Sequence, residues 1–229
     1  MNNSIKPLAV GAGLLLAAAS SNATVIITAQ NGGTGTFGVS SSDLGQASGT
    51  TLSLDSGSAN FGSAAGKLND GNIYGVDGAD VTTQSLTPSD GAVVTYHFDL
   101  TANPAGYDLT SIVSLTGAAQ GRAQQVFDVS YSLVSGGGFT SLASVLGSLT
   151  GNNAAGETRV TLSNLGLSQV ADLRFTFHNG SGGESMYREI DVIGFASVPE
   201  PSSLLTAGML AAGGFAAVLL RRNRKAAAR

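Results

Sequence analysis

Apolar residues at every second position are the feature that most constrains the fold of this chain. Residues 93–100 (VVTYHFDL), 125–134 (QVFDVSYSLV) and 171–178 (ADLRFTFH) each place large apolar side chains on one face and polar side chains on the other. Such alternation is typical of a β-strand with one buried face. No segment of the central region carries a convincing 3.6-residue apolar stripe, so long amphipathic helices are not expected there.

Turn-forming residues separate these segments at short intervals and divide the central region into about eight strands. We therefore predict an all-β fold, an antiparallel two-sheet sandwich resembling a jelly roll. Residues 31–66, rich in Gly and Ser, are expected to form either weak edge strands or a long loop. The expected strands are 24–29, 93–100, 109–115, 125–134, 139–146, 158–162, 171–178 and 187–195.

The first 23 residues have the layout of a secretory signal peptide, expected as a short helix. Lys6 gives a modest positive start, residues 8–19 are apolar, and Ser21-Asn22-Ala23 offers small residues for cleavage after Ala23. This predicts export by the Sec machinery and removal of the leader by signal peptidase. The alternative is an N-terminal anchor that is retained, although the apolar stretch is short for a membrane span.

The last 32 residues, 198–229, combine a proline-flanked acid, an apolar run and a basic end. Residues 203–220 carry no charge and would span about 27 Å as a helix, enough for a bilayer core. The basic residues after it, at 221–229, favour a cytoplasmic end and an upstream domain outside. Pro199 and Pro201 prevent a continuous helix into the membrane. A plain single-pass anchor is the alternative to a processed segment.

This C-terminal pattern resembles the PEP-CTERM sorting signal of Gram-negative bacteria. The resemblance implies an exosortase, a membrane transpeptidase, that recognises and cleaves the segment while the protein is held in the inner membrane. The mature protein would then reach the cell surface, outer membrane or extracellular matrix, often alongside exopolysaccharide. The residues that carry it are Val198, Pro199, Glu200 and Pro201, then the predicted transmembrane helix 203–220, then Arg221, Arg222 and Arg224.

The exported domain, residues 24–197, is markedly acidic. Residues 24–198 hold fourteen acidic and five basic residues, a net charge of 5 − 14 = −9, against −4 for the whole chain. An acidic domain without a basic patch argues against a nucleic-acid partner. The chain has no cysteine, so disulfides, thiolate catalysis and cysteine-bound zinc are excluded.

The order of motifs between residues 67 and 195 is similar to that of galactose-binding-like, discoidin-type jelly rolls, a fold shared by many carbohydrate-binding modules. The resemblance implies ligand-binding loops at one end of the sandwich and a binding rather than a catalytic role. The motifs are residues 68–71 (LNDG), 109–112 (LTSI), 121–122 (GR), 125–132 (QVFDVSYS), 139–142 (FTSL), 159–162 (RVTL), 173–175 (LRF) and 187–194 (YREIDVIG).

The same resemblance implies one structural calcium ion. By position, its ligands would be Asp70, the carbonyls of Leu68 and Asn72, and Glu189 on the last strand. Calcium prefers six to eight hard oxygen ligands, which a turn and nearby carboxylates supply. The alternative is that Asp70 is only a turn residue and that Glu189 is a surface partner of Arg188.

Four residues in or near expected loops are candidates for contacting a sugar: Tyr74, Tyr107, Arg122 and Tyr187. Aromatic rings stack on sugar rings, and Arg binds hydroxyls, but packing is the alternative role for each. The sequence contains no Trp, and the His and Arg triad of fucose-binding relatives is not recognisable. No specific sugar is therefore predicted.

Three common catalytic motifs are absent: the sequence has no Gly-x-Ser-x-Gly elbow, no His-Glu-x-x-His helix and no phosphate loop. A Ser-His-Asp triad would have to use His97 or His178. We therefore expect a non-catalytic surface or matrix protein that engages exopolysaccharide. The alternatives are a purely structural biofilm or floc protein and, third, a polysaccharide-acting enzyme.

Overall fold

A computed structural model describes residues 24–32, 36–73, 84–117, 122–147, 157–180 and 182–198. Its elements are eight strands and three short 3-10 helices (Leu44–Gln46, Asn60–Gly62 and Ala65–Leu68). The strands are β1 (Ile26–Gly32), β2 (Thr51–Ser56), β3 (Val93–His97), β4 (Tyr107–Gly117), β5 (Val126–Leu133), β6 (Thr140–Leu146), β7 (Glu157–Phe177) and β8 (Tyr187–Ala196).

All strand pairs are antiparallel, and β7 pairs with different strands along its two parts. Its first part, residues 157–163, pairs with β1 and β4, and β4 also pairs with β8. Its last part, residues 172–177, pairs with β3 and β5, which pair in turn with β2 and β6. The eight strands form one continuous sheet that β7 folds into two facing halves. These halves are called here the first sheet, β1-β7-β4-β8, and the second sheet, β2-β3-β7-β5-β6. This confirms the predicted all-β, two-sheet antiparallel sandwich.

The bend that carries β7 from one sheet to the other lies between Asn164 and Gln169. Asn164, Gly166 and Gln169 have φ values of 57°, 59° and 58°, in the left-handed region. A non-glycine residue rarely adopts this conformation, and Asn does so more readily than Gln. The two separate strands expected at 158–162 and 171–178 are therefore one continuous strand with a bend.

The core fills the space between the two sheets and is rich in aromatic rings. Leu173, Phe175 and Phe177 on β7 are all fully buried, as the alternation predicted. Phe177 lies 4.6 Å from the ring centroid of Tyr187 and Phe175 lies 5.7 Å from that of Tyr96. Edge-on and tilted contacts of this kind add stability beyond the burial of apolar area.

The segment 31–66, predicted as edge strands or a long loop, contains both kinds of structure. Its described residues hold the end of β1, all of β2, the whole of the first two 3-10 helices and the start of the third. Residues 40–46 and 65–71 lie against β8, the edge strand of the first sheet. These two segments bring side chains and N–H groups to the site described below.

The predicted signal helix (1–23) and transmembrane helix (203–220) lie outside the described residues. Within the described ranges, no helix has both the length and the apolar character needed to cross a bilayer.

Candidate functional site

Three carboxylates are buried together at the edge of the first sheet. Glu189 and Asp191 alternate along β8 and so project from the same face of the strand. Asp43 faces them from the chain just before the first 3-10 helix, where it forms an isolated bridge with Ile193. One oxygen from each of the three residues lies within 4.8 Å of the others. The side chains are almost completely buried, at 7% exposure for Asp43, 0% for Glu189 and 1% for Asp191.

Backbone N–H groups hold this acidic cluster, defined as Asp43, Glu189 and Asp191, in place. The donors come from residues 40–45, from residue 71 and from β8 itself, so the cluster joins two earlier segments of the chain to β8. The bonds are Gly45 N–H to Asp43 Oδ1 (2.8 Å), Val192 N–H to Asp43 Oδ1 (2.6 Å), Ser40 N–H to Asp191 Oδ2 (2.8 Å) and Gly71 N–H to Glu189 Oε2 (3.1 Å).

Two oxygens of the cluster have no partner among the described residues. Asp43 Oδ2 and Asp191 Oδ1 are buried from solvent and accept no hydrogen bond. A buried acceptor without a partner loses its hydration without compensation, and each such group in a native fold needs an explanation. A cation bound among the three carboxylates would supply the counter-charge that these buried acceptors lack.

The cluster shifts the pKa of all three acids upward. Burial, followed by the charges of Asp191, Asp43 and Asp70, raises the pKa of Glu189 to about 9. Burial, followed by the charge of Asp43, raises the pKa of Asp191 to about 6. Burial raises the pKa of Asp43 as well, against the hydrogen bonds from Val192 and Gly45. Without a counter-charge, the three groups resist simultaneous ionisation.

The donor set fits a hard divalent cation. Calcium binds carboxylate and carbonyl oxygens at about 2.3–2.6 Å, so two ligands of one ion lie at most about 5 Å apart. The 4.8 Å limit among the three carboxylates meets that condition. The cluster contains only oxygen donors, which suits calcium better than zinc or copper.

Of the four ligands implied by the sequence resemblance, only Glu189 lies in the cluster. The turn that holds the other three is linked to it through Gly71, whose N–H donates to Glu189 Oε2, and through the charge of Asp70, which helps to raise the pKa of Glu189. Asp70 forms an ion pair with Lys67 (2.9 Å) and accepts a bond from the N–H of Asn72 (3.0 Å). The carbonyl of Leu68 accepts a bond from the Tyr96 hydroxyl at 3.0 Å.

The alternative role of Glu189, as a surface partner of Arg188, does not match the geometry. Neighbouring residues of a strand point to opposite faces. Glu189 is buried, and Arg188 donates from Nε and Nη2 to the carbonyl of Gly117 at 2.9 and 2.7 Å.

Sequence reasoning missed Asp43 and Asp191. Asp191 had a usable signal, since it follows Glu189 by two residues, and Ile190 and Val192 on the other face of the strand are apolar. Asp43 lies in a Gly/Ser-rich stretch with weak periodicity, and only the fold brings it to β8.

Two of the four candidate sugar contacts are part of the core. Tyr187 is 0% exposed, and its hydroxyl bonds to the backbone of Val126. Tyr107 is 5% exposed; its ring packs on Phe98 and its hydroxyl donates to the carbonyl of Asp99. Neither buried ring is available to a sugar. Both tyrosines pack in the core, which is the alternative role that the sequence analysis gave for them. Tyr74 lies outside the described residues.

Arg122 lies at the end of the sandwich where β5 and β8 begin. Its guanidinium stands over the ring of Phe61, 5.1 Å from the centroid, and this ring is 51% exposed. Beside them, Asn60 Nδ2 donates to Glu184 Oε1 at 2.6 Å. The four side chains come from three loops and form one polar surface with an exposed aromatic ring, called here the distal loop surface.

The other end of the sandwich is where the C-terminal segment begins. Val198 is 77% exposed there. The remaining processing residues, Ala23, Pro199, Glu200, Pro201, Arg221, Arg222 and Arg224, lie outside the described residues.

Both histidines lie on the outer face of the second sheet, as predicted, and each contacts carboxylates. His178 Nε2 is 2.9 Å from Asp128 Oδ2. His97 lies between Ser53 Oγ (3.0 Å from Nε2) and Asp172 Oδ1 (2.8 Å from Nδ1), the order of atoms in a catalytic triad. The Ser53 hydroxyl, however, donates to Asp55 at 2.5 Å, so its proton is not directed at His97. Ser53, His97 and Asp172 lie on the outer face of the sheet rather than in a cleft, so we assign no catalytic role to them.

No family model and no curated protein matches the chain. Several solved structures are similar to it. They include a Clostridium perfringens module, CpGH89CBM32-4, in complex with GlcNAc-α-1,4-galactose (13% identity, 67% of this chain, 95% of that one, TM-score 0.42). The family 32 module of NanJ from the same organism, solved in complex with galactose, is 15% identical, with a TM-score of 0.39. The match covers 66% of this chain and 97% of that one. An F5/8 type C domain from Bacteroides fragilis is 12% identical, with a TM-score of 0.40. The match covers 66% of this chain and 94% of that one.

Proposed function

We propose that the protein is an exported, non-catalytic surface or matrix module that engages exopolysaccharide and whose fold is fixed by one calcium ion. In this proposal the C-terminal segment holds the chain in the inner membrane of a Gram-negative cell until an exosortase processes it. The acidic cluster is the observation that carries the proposal. Calcium is plentiful outside cells, and a domain that requires it for stability is suited to that environment.

The calcium ion would be held by Asp43, Glu189 and Asp191, with the Leu68–Asn72 turn beside it. Because the cluster joins residues 40–46 and 71 to β8, neutralising its charge would stabilise the attachment of both segments to the sheet. The ion's role is structural, and the proposal assigns it no reaction.

The distal loop surface is the proposed polysaccharide contact. Phe61 offers a ring face, and Arg122, Asn60 and Glu184 offer donors and acceptors for hydroxyl groups. This surface lies at the end opposite to the C-terminal segment, so it faces away from the membrane while the chain is anchored. A purely structural protein is the second candidate, favoured by the burial of Tyr107 and Tyr187.

Thermal unfolding with and without calcium tests the proposal. The full chain, purified in detergent, should melt about 5–10 °C higher with calcium at a hundredfold excess over its dissociation constant than in a chelator. Asp191→Asn should lose most of this rise. It should be at least as stable as wild type in the chelator, because Asn keeps an oxygen for the Ser40 N–H but removes a buried charge.

Asp90→Asn is the matched control, because Asp90 lies outside the cluster with a 67% exposed side chain. This variant should keep the full response to calcium. Equal melting temperatures of wild type in calcium and in chelator would refute the calcium proposal.

A further inference from the structure

A pocket of about 480 Å³ opens where β7 bends, at the end of the sandwich from which the C-terminal segment leaves. Its lining comes from three neighbouring strands of the first sheet: residues 108–110 of β4, 164–167 of β7 and Phe195 of β8. This volume is within the range of about 300–1,000 Å³ typical of small-ligand sites.

The lining combines one exposed aromatic ring with a few polar groups. Phe195 is 56% exposed, although it is a large apolar residue on a strand. Asp108 uses Oδ1 to accept bonds from Gln169 N–H and the Ser197 hydroxyl. Asn164 uses Nδ2 to donate to the carbonyl of Thr24 at 3.0 Å. Among the described residues, nothing donates to Asp108 Oδ2 or to the Asn164 side-chain oxygen.

The charge of the lining restricts the class of ligand. None of the described residues that line the pocket is basic, and Asp108 is acidic, so an anionic ligand such as a phosphate or a uronate would be repelled. A wholly apolar ligand would bury Asp108 and Asn164 without hydrogen bonds, which is unfavourable. A neutral sugar ring meets both conditions, because it has an apolar C–H face and donor hydroxyl groups at its edge.

We propose that this pocket binds a neutral hexose residue, with its C–H face on Phe195 and its hydroxyls donating to Asp108 and Asn164. Phe195 lies eight residues beyond Tyr187 along β8, about 26 Å of extended strand. The pocket is therefore at the opposite end of the sandwich from the distal loop surface. Two sugar sites facing opposite ways would let one molecule link two polysaccharide chains, with the gain in avidity that two joined sites give. This linking role rests on the proposed function, whereas sugar binding in the pocket does not.

Ligand-detected NMR titration of the full chain in detergent tests the pocket. The probes are galactose, glucose, mannose and N-acetylglucosamine, with glucuronate as the anionic comparison. The test variants are Phe195→Ala, which removes the ring, and Asn164→Gly, which removes the amide but suits the left-handed backbone. Arg122→Ala, at the distal loop surface, is the matched control. Melting temperatures within a few degrees of wild type establish that each variant is folded.

At least one neutral hexose should bind to the wild-type chain. Phe195→Ala and Asn164→Gly should each weaken that binding tenfold or more. Arg122→Ala should keep the part of the sugar binding that depends on Phe195. Glucuronate should bind at least tenfold more weakly. If every neutral sugar bound Phe195→Ala and Asn164→Gly as tightly as wild type, or if none bound wild type, the pocket proposal would be overturned. Sugar binding lost only in Arg122→Ala would overturn the pocket proposal and support the distal loop surface as the sugar site. Sugar binding lost only in Phe195→Ala and Asn164→Gly would support the pocket and argue against the distal loop surface.

Discussion

Glu189 shows how one side chain can join distant parts of the chain. It is fully buried on β8, it accepts a bond from the N–H of Gly71, and Gln46 Nε2 lies 3.4 Å from its other oxygen. Its pKa of about 9 means that the unliganded fold favours the protonated acid at neutral pH. A calcium ion would reverse that preference, since it binds the carboxylate and not the acid.

The pH dependence of stability follows from these shifts. An acid with a raised pKa in the folded state binds its proton more tightly there than in the unfolded chain, so stability falls as pH rises between the two pKa values. For Glu189 this window runs from 4.5 to about 9, and for Asp191 from 3.8 to about 6. In a chelator, the melting temperature should therefore fall steadily from pH 5 to pH 9, and calcium should reduce or remove that fall.

Melting curves at pH 5, 7 and 9, measured with chelator and with calcium, check this prediction. Asp55 and Asp128 have lowered pKa values, so the stability that they contribute is lost only below about pH 4, outside the tested range. A melting temperature that rises or stays level from pH 5 to pH 9 in the chelator would contradict the account of the cluster.

Among the elements, β7 determines the architecture because it is the one strand shared by both sheets. Its 21 residues pair with four other strands, and its bend requires left-handed backbone at Asn164, Gly166 and Gln169. Gln169 contributes backbone bonds there, since its N–H donates to Asp108 and its carbonyl accepts from Val134 N–H. Its side chain has no hydrogen bond within the described ranges.

Substitutions at Gln169 test the bend. Gln169→Gly should be neutral or stabilising by up to about 1 kcal/mol, because glycine adopts φ near 58° without strain. Gln169→Val should destabilise by about 1–2 kcal/mol or more, because a β-branched residue is a poor fit to that conformation. Urea unfolding of both variants measures the difference, and equal stabilities would contradict the left-handed backbone at this position.

The sequence predicts most of the strands because apolar and polar side chains alternate along β3, β5 and the end of β7. The sequence analysis divides β7 into two strands, because the Asn164–Gln169 bend resembles a turn. Only pairing with distant strands shows that β7 is continuous. The sequence analysis locates Glu189 but neither Asp43 nor Asp191, because a site built from distant segments leaves no local pattern. The sequence does not decide whether Tyr107 and Tyr187 contact a ligand or pack in the core, because a tyrosine at a strand end can point either to solvent or to the core.

At the scale of the whole molecule, the two ends of the sandwich carry different proposed sites. The distal loop surface carries Phe61 and Arg122, and the opposite end carries the Phe195 pocket and the exit of the chain at Val198. The acidic cluster lies on the edge of the first sheet and joins the early segments of the chain to its last strand. β8 then leads directly into the predicted sorting signal.

The predicted sorting signal can be tested separately. Pro199→Ala combined with Glu200→Ala should leave the protein uncleaved in the inner membrane, because the proposed exosortase would lose its recognition sequence. Immunoblots of membrane and extracellular fractions measure this, with Ser202→Ala as a control that should be processed normally. Normal processing of the double variant would argue for a plain anchor or another protease.

The calcium content of the purified chain tests the central claim most directly. After dialysis against buffer with micromolar calcium, elemental mass spectrometry should find one calcium per wild-type chain and less than a tenth of that in Glu189→Gln combined with Asp191→Asn. The Asp90→Asn control should retain one calcium. A wild-type chain without calcium, or a double variant that retains it, would contradict the claim that the buried acids of β8 and Asp43 hold a cation.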